Sequence, residues 1–378
     1  MIRVMQFADV INQHDFIDVI LQHADRKQFQ LFACLRTLES NIADPVYPAD
    51  VAVCLLPGVS RWRIPITTFR LAWLLRLHKI DVLHTHHYDQ AFIGWLATLL
   101  SPRTKLVVGR HYSGSIYDLS KGWKQKLLLG FEQKINQAAA SIIVPTKFIQ
   151  RILCEQQGMA IDNVPVVPYA FITEKYDVAN LAHAEQVRKE LNMEGKTIFA
   201  NFARLHPEKG HTYLLQALQK IKNQAPNLEF LIIGDGPHQP LLAQEIIDRG
   251  LLGKVRLLGW RKDAMSIMNA VDAVVQPTLL EAFSQVMAEA MHFAKPLIIT
   301  RVSGAEEIVQ DGVNGYIVTL RDSDALADRI LHLYREPELR RRLGKAGQNM
   351  IQKSFTVADI MPKYGAVFVA AASKQSGR

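Results

Sequence analysis

Short apolar, β-branched runs alternate with helix-patterned stretches from one end of the chain to the other. In the first half, "IRVMQF", "FQLFACL", "DVAVCLL", "DVLH", "KLVV" and "SIIVP" read as buried strands. Between them lie stretches such as "PITTFRLAWLLRLHK", where Pro65 marks a helix start because a first-turn residue does not need its N–H. The alternation breaks around residues 165–195. There "VPVVPYAFITEKYD" brings two prolines and then a polar, charged stretch up to Gly195, which reads as a linker. It restarts with "KTIFANFA", "LEFLIIG", "KVRLLG", "DAVVQP", "KPLIIT" and "GYIV". Alternation of this kind implies parallel sheets covered by helices on both faces, so the pattern predicts two doubly wound α/β domains in tandem. Such sheets take ligands beyond the carboxyl ends of their strands, and a cleft between two facing domains is the expected active site.

A chain of 378 residues is too long for one ordinary core, which agrees with two domains. With 49% hydrophobic and 21% charged residues it has the composition of a folded protein throughout. The net charge of +8 suits an anionic partner: nucleic acid, an acidic membrane or a phosphorylated small molecule. Nucleic acid is disfavoured, because no nucleic-acid-binding module matches the sequence. Cys34, Cys54 and Cys154 are far apart and odd in number, which argues against a disulfide framework or zinc site and for a reducing compartment. Asp9, Asp15 and Asp18 spoil a signal peptide, and the longest apolar run, Ala91–Leu100, falls well short of the roughly 20 residues of a spanning helix. The expected location is cytoplasmic, soluble or peripheral on the inner face of the membrane.

Candidate chemistry gathers at strand ends. In "NFARLHPEKG", Arg204 and Lys209 follow a strand and precede a helix; a fork of guanidinium donors and a point charge suit a diphosphate, or equally a solvated polar loop. "LIIGDGP" places Gly234 and Gly236 where a ligand can approach the backbone or where a tight turn is required. The absence of a third glycine at dinucleotide spacing disfavours nicotinamide. Gly259 and Trp260 end "VRLLGW", and Pro277 and Thr278 end "DAVVQPT". In "EAFSQVMAEAM", Ser284 is the expected N-cap of a helix. Glu281 then lies in the loop before it, and the Phe283 and Ser284 amides stand at a helix start suited to negative charge. Glu289 lies inside that helix among Val286, Met287, Ala288, Ala290 and Met291, where an unpartnered carboxylate is costly, and a sugar's hydroxyl pair would suit it.

Other motifs carry competing readings. His84, His86 and His87 suggest zinc, but extended chain would point His86 and His87 to opposite faces, and no metal is expected. Arg110 and His111 end another strand on the side expected to face the cleft, where His111 is a candidate polar catalytic group or substrate contact. Asp322–Asp324 resembles a metal-binding DxD but precedes the amphipathic "ALADRILHLYRE", so capping explains it better. The segment 121–135 mixes Lys121, Lys124, Lys126 and Lys134 with Trp123, Leu127, Leu128 and Phe131; it suits either an anionic membrane surface or a solvated helix face.

Taken in order, "RLHPEKG", "GDGP", "LLGW", "DAVVQPT", the Glu-x7-Glu of "EAFSQVMAE" and "KPLIIT…SGAEEIVQDGVNGYIV" resemble glycosyltransferase family 4, group 1. The resemblance implies the GT-B fold of two Rossmann-like domains: an acceptor-binding domain at 1–172, a nucleotide-sugar-binding domain at 173–355, and a last helix at 356–378 crossing back to the first. It implies retaining transfer of a hexose-type sugar from a UDP- or GDP-sugar to a glycan or lipid-linked acceptor, in envelope polysaccharide or lipid-linked glycan synthesis, with no cofactor beyond that donor substrate and no metal. Arg204 and Lys209 would hold the diphosphate, Glu281 the donor sugar, Phe283 and Ser284 the sugar and phosphates, and Glu289 the ribose. Gly234, Gly236, Trp260 and Arg261 would complete the donor site, the last two by backbone contact with the base. His111 falls where the family has a histidine of the acceptor and catalytic region. Three features depart from the family pattern: the glycine-free "FADVINQHD", Tyr169–Ile172 in place of Asn-Gly-Val-Asp, and Ala282 in place of glycine. They leave open a catalytically inactive donor-binding partner of a glycan-assembly complex. A sugar-nucleotide epimerase on the same architecture is the other alternative.

Overall fold

The computed structural model describes residues 1–9, 15–37, 47–58, 61–112, 123–172, 176 and 181–374. Among the sequence features singled out above, the centre of "FADVINQHD" (residues 10–14), residues 121–122 of the basic segment, residues 173–175 and 177–180 of the linker, and residues 375–378 at the end of the expected last helix lie outside that set. The chain forms two compact units, Met1–Ala170 with Val357–Arg378, and Phe171–Thr356.

In the first unit the elements run β1 (Ile2–Asp9), α1 (Asp15–His23), β2 (Phe29–Thr37), β3 (Ala52–Pro57), α2 (Ile64–Leu77), β4 (Val82–His86), α3 (His87–Leu100), β5 (Lys105–Gly109), α4 (Trp123–Ala138), β6 (Ser141–Ile143) and α5 (Lys147–Gln157). The six strands form one sheet in the order β3-β2-β1-β4-β5-β6, and every pairing is parallel. The central strands are buried on both faces, which explains why they read as continuous apolar runs and not as alternation. The order reverses at β1/β4, so right-handed crossovers put α2, α3 and α4 on one face and α1 on the other. Local chemistry fixes the ends: the Thr146 hydroxyl accepts from the Ile149 N–H at the start of α5, and Gly158 closes that helix in the left-handed region. The last helix, Val357–Ser373, packs on β1, β4, β5 and α1, with Phe368 edge-on to Phe29 (6.0 Å) and to His84 (5.4 Å).

The second unit repeats the plan. Its elements are α6 (Leu181–Glu190), β7 (Thr197–Phe202), α7 (His211–Ile221), β8 (Leu228–Ile233), α8 (Gln239–Asp248), β9 (Val255–Gly259), α9 (Ala264–Ala270), β10 (Ala273–Gln276), α10 (Gln285–His292), β11 (Leu297–Thr300), α11 (Ala305–Ile308), β12 (Gly315–Val318), α12 (Ser323–Arg335) and α13 (Pro337–Ser354). The sheet order is β12-β11-β10-β7-β8-β9, again all parallel, with its reversal at β7/β10. Its core joins β7, β8 and β10 to α7, α8 and α12 through Phe199, Leu214, Leu218, Phe230, Ile246 and Ile330. The Asp322 carboxylate accepts from the Asp324 and Ala325 amides and caps α12, so the DxD-like motif is a helix start. Both sheets are doubly wound, as the hydrophobic pattern implies.

Candidate active site

In the second unit, the strand exits at the β7/β10 reversal carry most of the charged residues singled out above. After β7 the chain runs through Arg204 into a single 3-10 turn, Pro207–Lys209, and Gly210 (φ +70°) then admits α7. After β10 it runs from Pro277 to Glu281 before α10 begins. The two loops are stitched together. The Glu208 carbonyl accepts from the Leu279 N–H (2.7 Å) and the Thr278 hydroxyl (3.2 Å), and a Cβ on Gly210 would stand 2.0 Å from the Pro277 carbonyl oxygen. This stitching brings the Lys209 ammonium to 2.7 Å from a Glu281 carboxylate oxygen, although 72 positions separate them. Both side chains are largely buried, at 16% and 21% exposed. Arg204 is the contrast: it is 71% exposed and 3.6 Å from the Glu208 carboxylate, so its guanidinium remains accessible to an anion.

Gly234 and Gly236 lie beside this loop. A Cβ on Gly234 would meet the Ala203 carbonyl oxygen at 2.0 Å, and one on Gly236 the Leu205 carbonyl oxygen at 2.5 Å. The backbone of Leu205 donates to Asp235 (2.7 Å) and accepts from His238 (3.0 Å). The glycines are therefore required by the approach of two protein backbones, which accounts for them without a ligand. Trp260 is exposed at the end of β9, next to Gly259 in the left-handed region. The Arg261 guanidinium is committed to Asp263 through two 2.8 Å hydrogen bonds, which raise its pKa and lower that of the carboxylate.

Ser284 occupies the N-cap position of α10 with extended backbone, but its hydroxyl makes no capping bond. Phe283 and Ser284 are buried. Glu289 is less enclosed than its apolar sequence neighbours imply, and a protein group meets the need for a hydrogen-bond partner. It is partly exposed, and the Tyr176 hydroxyl donates to it at 3.2 Å. Tyr176 is itself held by face-to-face stacking on Phe171, with ring centroids 4.6 Å apart. Nothing in the sequence spacing paired a tyrosine with a glutamate 113 positions away.

A buried polar layer under these loops escaped the sequence reading. The Asn201 amide donates to the Val275 carbonyl (2.9 Å) and to the Gln276 side chain (3.2 Å), and its oxygen pairs with the His211 ring at 3.0 Å. Gln276 donates back to the Phe202 carbonyl. Burial, then the neighbouring His238 and Lys209, push the His211 pKa down to about 4, so it stands neutral near pH 7. The polar letters within "NFA" and "VVQ" were the available signal: a side chain able to bond must interrupt an otherwise apolar strand.

In the first unit, His111 follows β5. Its Nδ1 is 2.7 Å from the Tyr169 hydroxyl, and its Nε2 is 2.9 Å from Nδ1 of His86. His86 in turn meets Gln6 at 3.0 Å. Both nitrogens of the proposed contact residue are thus engaged within the unit. The expectation that His86 and His87 point apart is corrected. His87 starts α3 at φ +63°, so the chain is not extended through both, and both rings lie near His111, at 5.2 and 5.3 Å. Gly109 makes the cluster possible, since a Cβ there would stand 2.9 to 3.2 Å from His111, His84 and His86. Burial pushes the His84 pKa down to about 3. Arg110, read from the sequence as ending a strand on the cleft side, is buried, ion-paired with Glu132 and stacked 4.5 Å over Tyr112. Among the described residues no cluster of His, Cys, Asp and Glu is arranged to hold a metal, and no helix is long and apolar enough to cross a membrane.

Comparison with known proteins agrees with this architecture. Residues 17–175 match the family described as Glycosyltransferase Family 4, and residues 183–350 match Glycosyl transferases group 1. N-acetyl-alpha-D-glucosaminyl L-malate synthase of Bacillus anthracis is 24% identical over 79% of this chain and 77% of its own length. An Escherichia coli UDP-Gal:alpha-D-GlcNAc-diphosphoundecaprenol alpha-1,3-galactosyltransferase is 24% identical over 78% and 77%. The crystal structure of Anabaena HepE in complex with UDP superposes with a TM-score of 0.81 at 20% identity, covering 98% of this chain and 100% of that one. The two family matches occupy the two halves of the chain, each on its own doubly wound sheet, and the chain belongs to the group 1, family 4 glycosyltransferases: it is a nucleotide-sugar glycosyltransferase of the GT-B fold.

Proposed function

We propose that the protein transfers a hexose-type sugar, with retention of anomeric configuration and without a metal, from a UDP- or GDP-sugar to the hydroxyl of a glycan or lipid-linked acceptor. The observation that carries this reading is the Lys209–Glu281 pair at the β7/β10 reversal, beside the exposed Arg204. The chemical demand of the reaction is charge on a departing diphosphate. A guanidinium, an ammonium and the start of α10 supply positive potential for it from the protein alone. Glu281 holds the ammonium in place and accepts from donor-sugar hydroxyls, and Glu289, which accepts from Tyr176, binds the ribose hydroxyls. The backbone at Phe283 and Ser284 meets the sugar and phosphates, that at Gly234 and Gly236 shapes the donor site, and that of Trp260 and Arg261 meets the base. His111 takes part by exchanging its bond to Tyr169 or His86 for a substrate hydroxyl.

The relatives support the choice of substrates. The E. coli enzyme is named for UDP-Gal and a diphosphoundecaprenol-linked acceptor, and HepE was crystallised with UDP. A role in envelope polysaccharide or lipid-linked glycan synthesis, cytoplasmic and at the inner face of the membrane, follows from that analogy. The test is turnover with UDP- and GDP-sugars in the presence of a chelator, with the anomeric configuration of the product read by NMR. Lys209→Ala should lower kcat about 10²- to 10³-fold with the fold intact. Undiminished turnover by that variant, an inverted product or loss of activity on chelation would each overturn the corresponding part of the proposal.

A further inference from the structure

Helix α2 is apolar on two opposite sides. Thr67, Thr68, Leu71, Ala72, Leu74 and Leu75 are buried. Opposite them, Trp62 just before the helix and Ile66, Phe69, Trp73 and Leu77 within it are exposed, from 53% at Leu77 to 93% at Trp62. At about 100° per residue, Ile66, Phe69, Trp73 and Leu77 fall within an arc of about 80°, so they form one stripe along the helix. A helix apolar all round belongs in a core or at an apolar boundary, and this one has only one side in the core. Contiguous exposed aromatics on this scale mark an interaction surface.

Charge identifies the partner. Residues 61–79 hold five cations, Arg61, Arg63, Arg70, Arg76 and Lys79, and no Asp or Glu. On the same helical wheel Arg70 borders the stripe on one side, about 40° from Ile66, and Arg76 on the other, about 80° away. Tryptophan on an apolar stripe with arginines on its flanks is the arrangement that seats a helix in the headgroup region of an anionic bilayer. A second copy of the chain meeting this face on a two-fold axis would bring five cations against five. With 14 residues, α2 is too short to span a bilayer and would lie in the plane of the surface. Right-handed crossovers put α4 on the same face of the sheet, and its start exposes Trp123 and Leu127 as well.

We propose that the outer face of α2, led by Trp62, Ile66, Phe69, Trp73 and Leu77 and flanked by Arg70 and Arg76, docks the protein on an anionic lipid surface, with the start of α4 as a secondary contact. The test is flotation of the full-length protein with phosphatidylcholine vesicles and with vesicles containing 30% phosphatidylglycerol, without donor or acceptor, so the result does not depend on the proposed reaction. The protein should float only with the anionic vesicles, and less at high salt. Phe69→Glu with Trp73→Glu should weaken binding at least about tenfold, Arg70→Glu should weaken it while leaving the stripe apolar, and Trp123→Glu should weaken it less than the double variant. Unchanged circular dichroism and unchanged stabilisation by UDP would establish that the variants fold. Failure of the wild type to float with anionic vesicles, or flotation unaffected by both α2 variants, overturns the proposal. A wild-type dimer in sedimentation that the double variant dissociates would assign the face to a second copy and overturn it likewise.

Discussion

Gly210→Ala is a sharp perturbation of the candidate site, because two separable effects meet at one residue. Gly210 has φ +70°, where an alanine costs about 1–2 kcal/mol through its Cβ. The Cβ would also stand 2.0 Å from the Pro277 carbonyl oxygen, against ordinary contact from 3.4 Å, so the two loops must part. Parting them strains the bonds from the Leu279 N–H and the Thr278 hydroxyl to the Glu208 carbonyl, each worth about 0.5–1.5 kcal/mol. The expected loss of stability is therefore about 2–5 kcal/mol.

Gly253→Ala supplies the control. Gly253 has φ +75° but no atom within 4 Å of a Cβ, so it carries the backbone strain alone, about 1–2 kcal/mol. Urea denaturation of both variants isolates the crowding at Pro277 as their difference. The same displacement draws Lys209 away from Glu281, and a shift of about 1 Å in a positioning group can lower turnover about 10²-fold. Gly253→Ala should leave turnover unchanged. Equal stability losses in the two variants, or wild-type turnover by Gly210→Ala, would refute the claim that the Gly210–Pro277 approach sets the geometry of the Lys209–Glu281 pair.

Two further outcomes follow from the buried and half-buried polar groups. If Glu289 binds ribose, UDP should bind the wild type about 10- to 100-fold more tightly than its 2′-deoxy analogue, the value of one hydrogen bond to a charged group, and Glu289→Gln should shrink the ratio; equal thermal stabilisation by both nucleotides would contradict the role. His211 and His84 have folded pKa values of about 4 and about 3, below the unfolded value near 6.5. The unfolded chain therefore binds more protons in that window. Stability is fully present above about pH 6.5 and falls as pH drops towards 4, by up to about 1.4 kcal/mol per pH unit for each histidine. Urea midpoints at pH 7.5 and pH 5 measure the slope, His211→Gln should reduce it, and a pH-independent midpoint would count against the buried neutral imidazoles.

The two doubly wound sheets were legible because a parallel strand buried on both faces writes a continuous apolar run, and the runs end in polar residues at the strand exits. The helix starts at Pro65, Ser284 and Asp322 were legible for the same local reason: a first turn has its own residue preferences. What the sequence does not carry is which exit meets which. Lys209 and Glu281 are joined by the neighbouring positions of β7 and β10, a fact of strand order that no local spacing encodes. The same holds for Tyr176 with Glu289 and for the chain Gln6–His86–His111–Tyr169, which spans 163 positions of sequence and holds both nitrogens of the histidine read as a polar catalytic group or substrate contact.

Helix α2 shows the opposite limit. Its sequence is apolar enough to read as core, and half of it is. Only the fold reveals that Phe69 and Trp73 face away from the sheet, and only then do Arg70 and Arg76 become the borders of a surface. An apolar letter has the same hydropathy whether a protein core or a lipid covers it. Flanking charge separates the two, since a cation beside a core position must reach past it to water, whereas beside a bilayer it meets a phosphate where it stands.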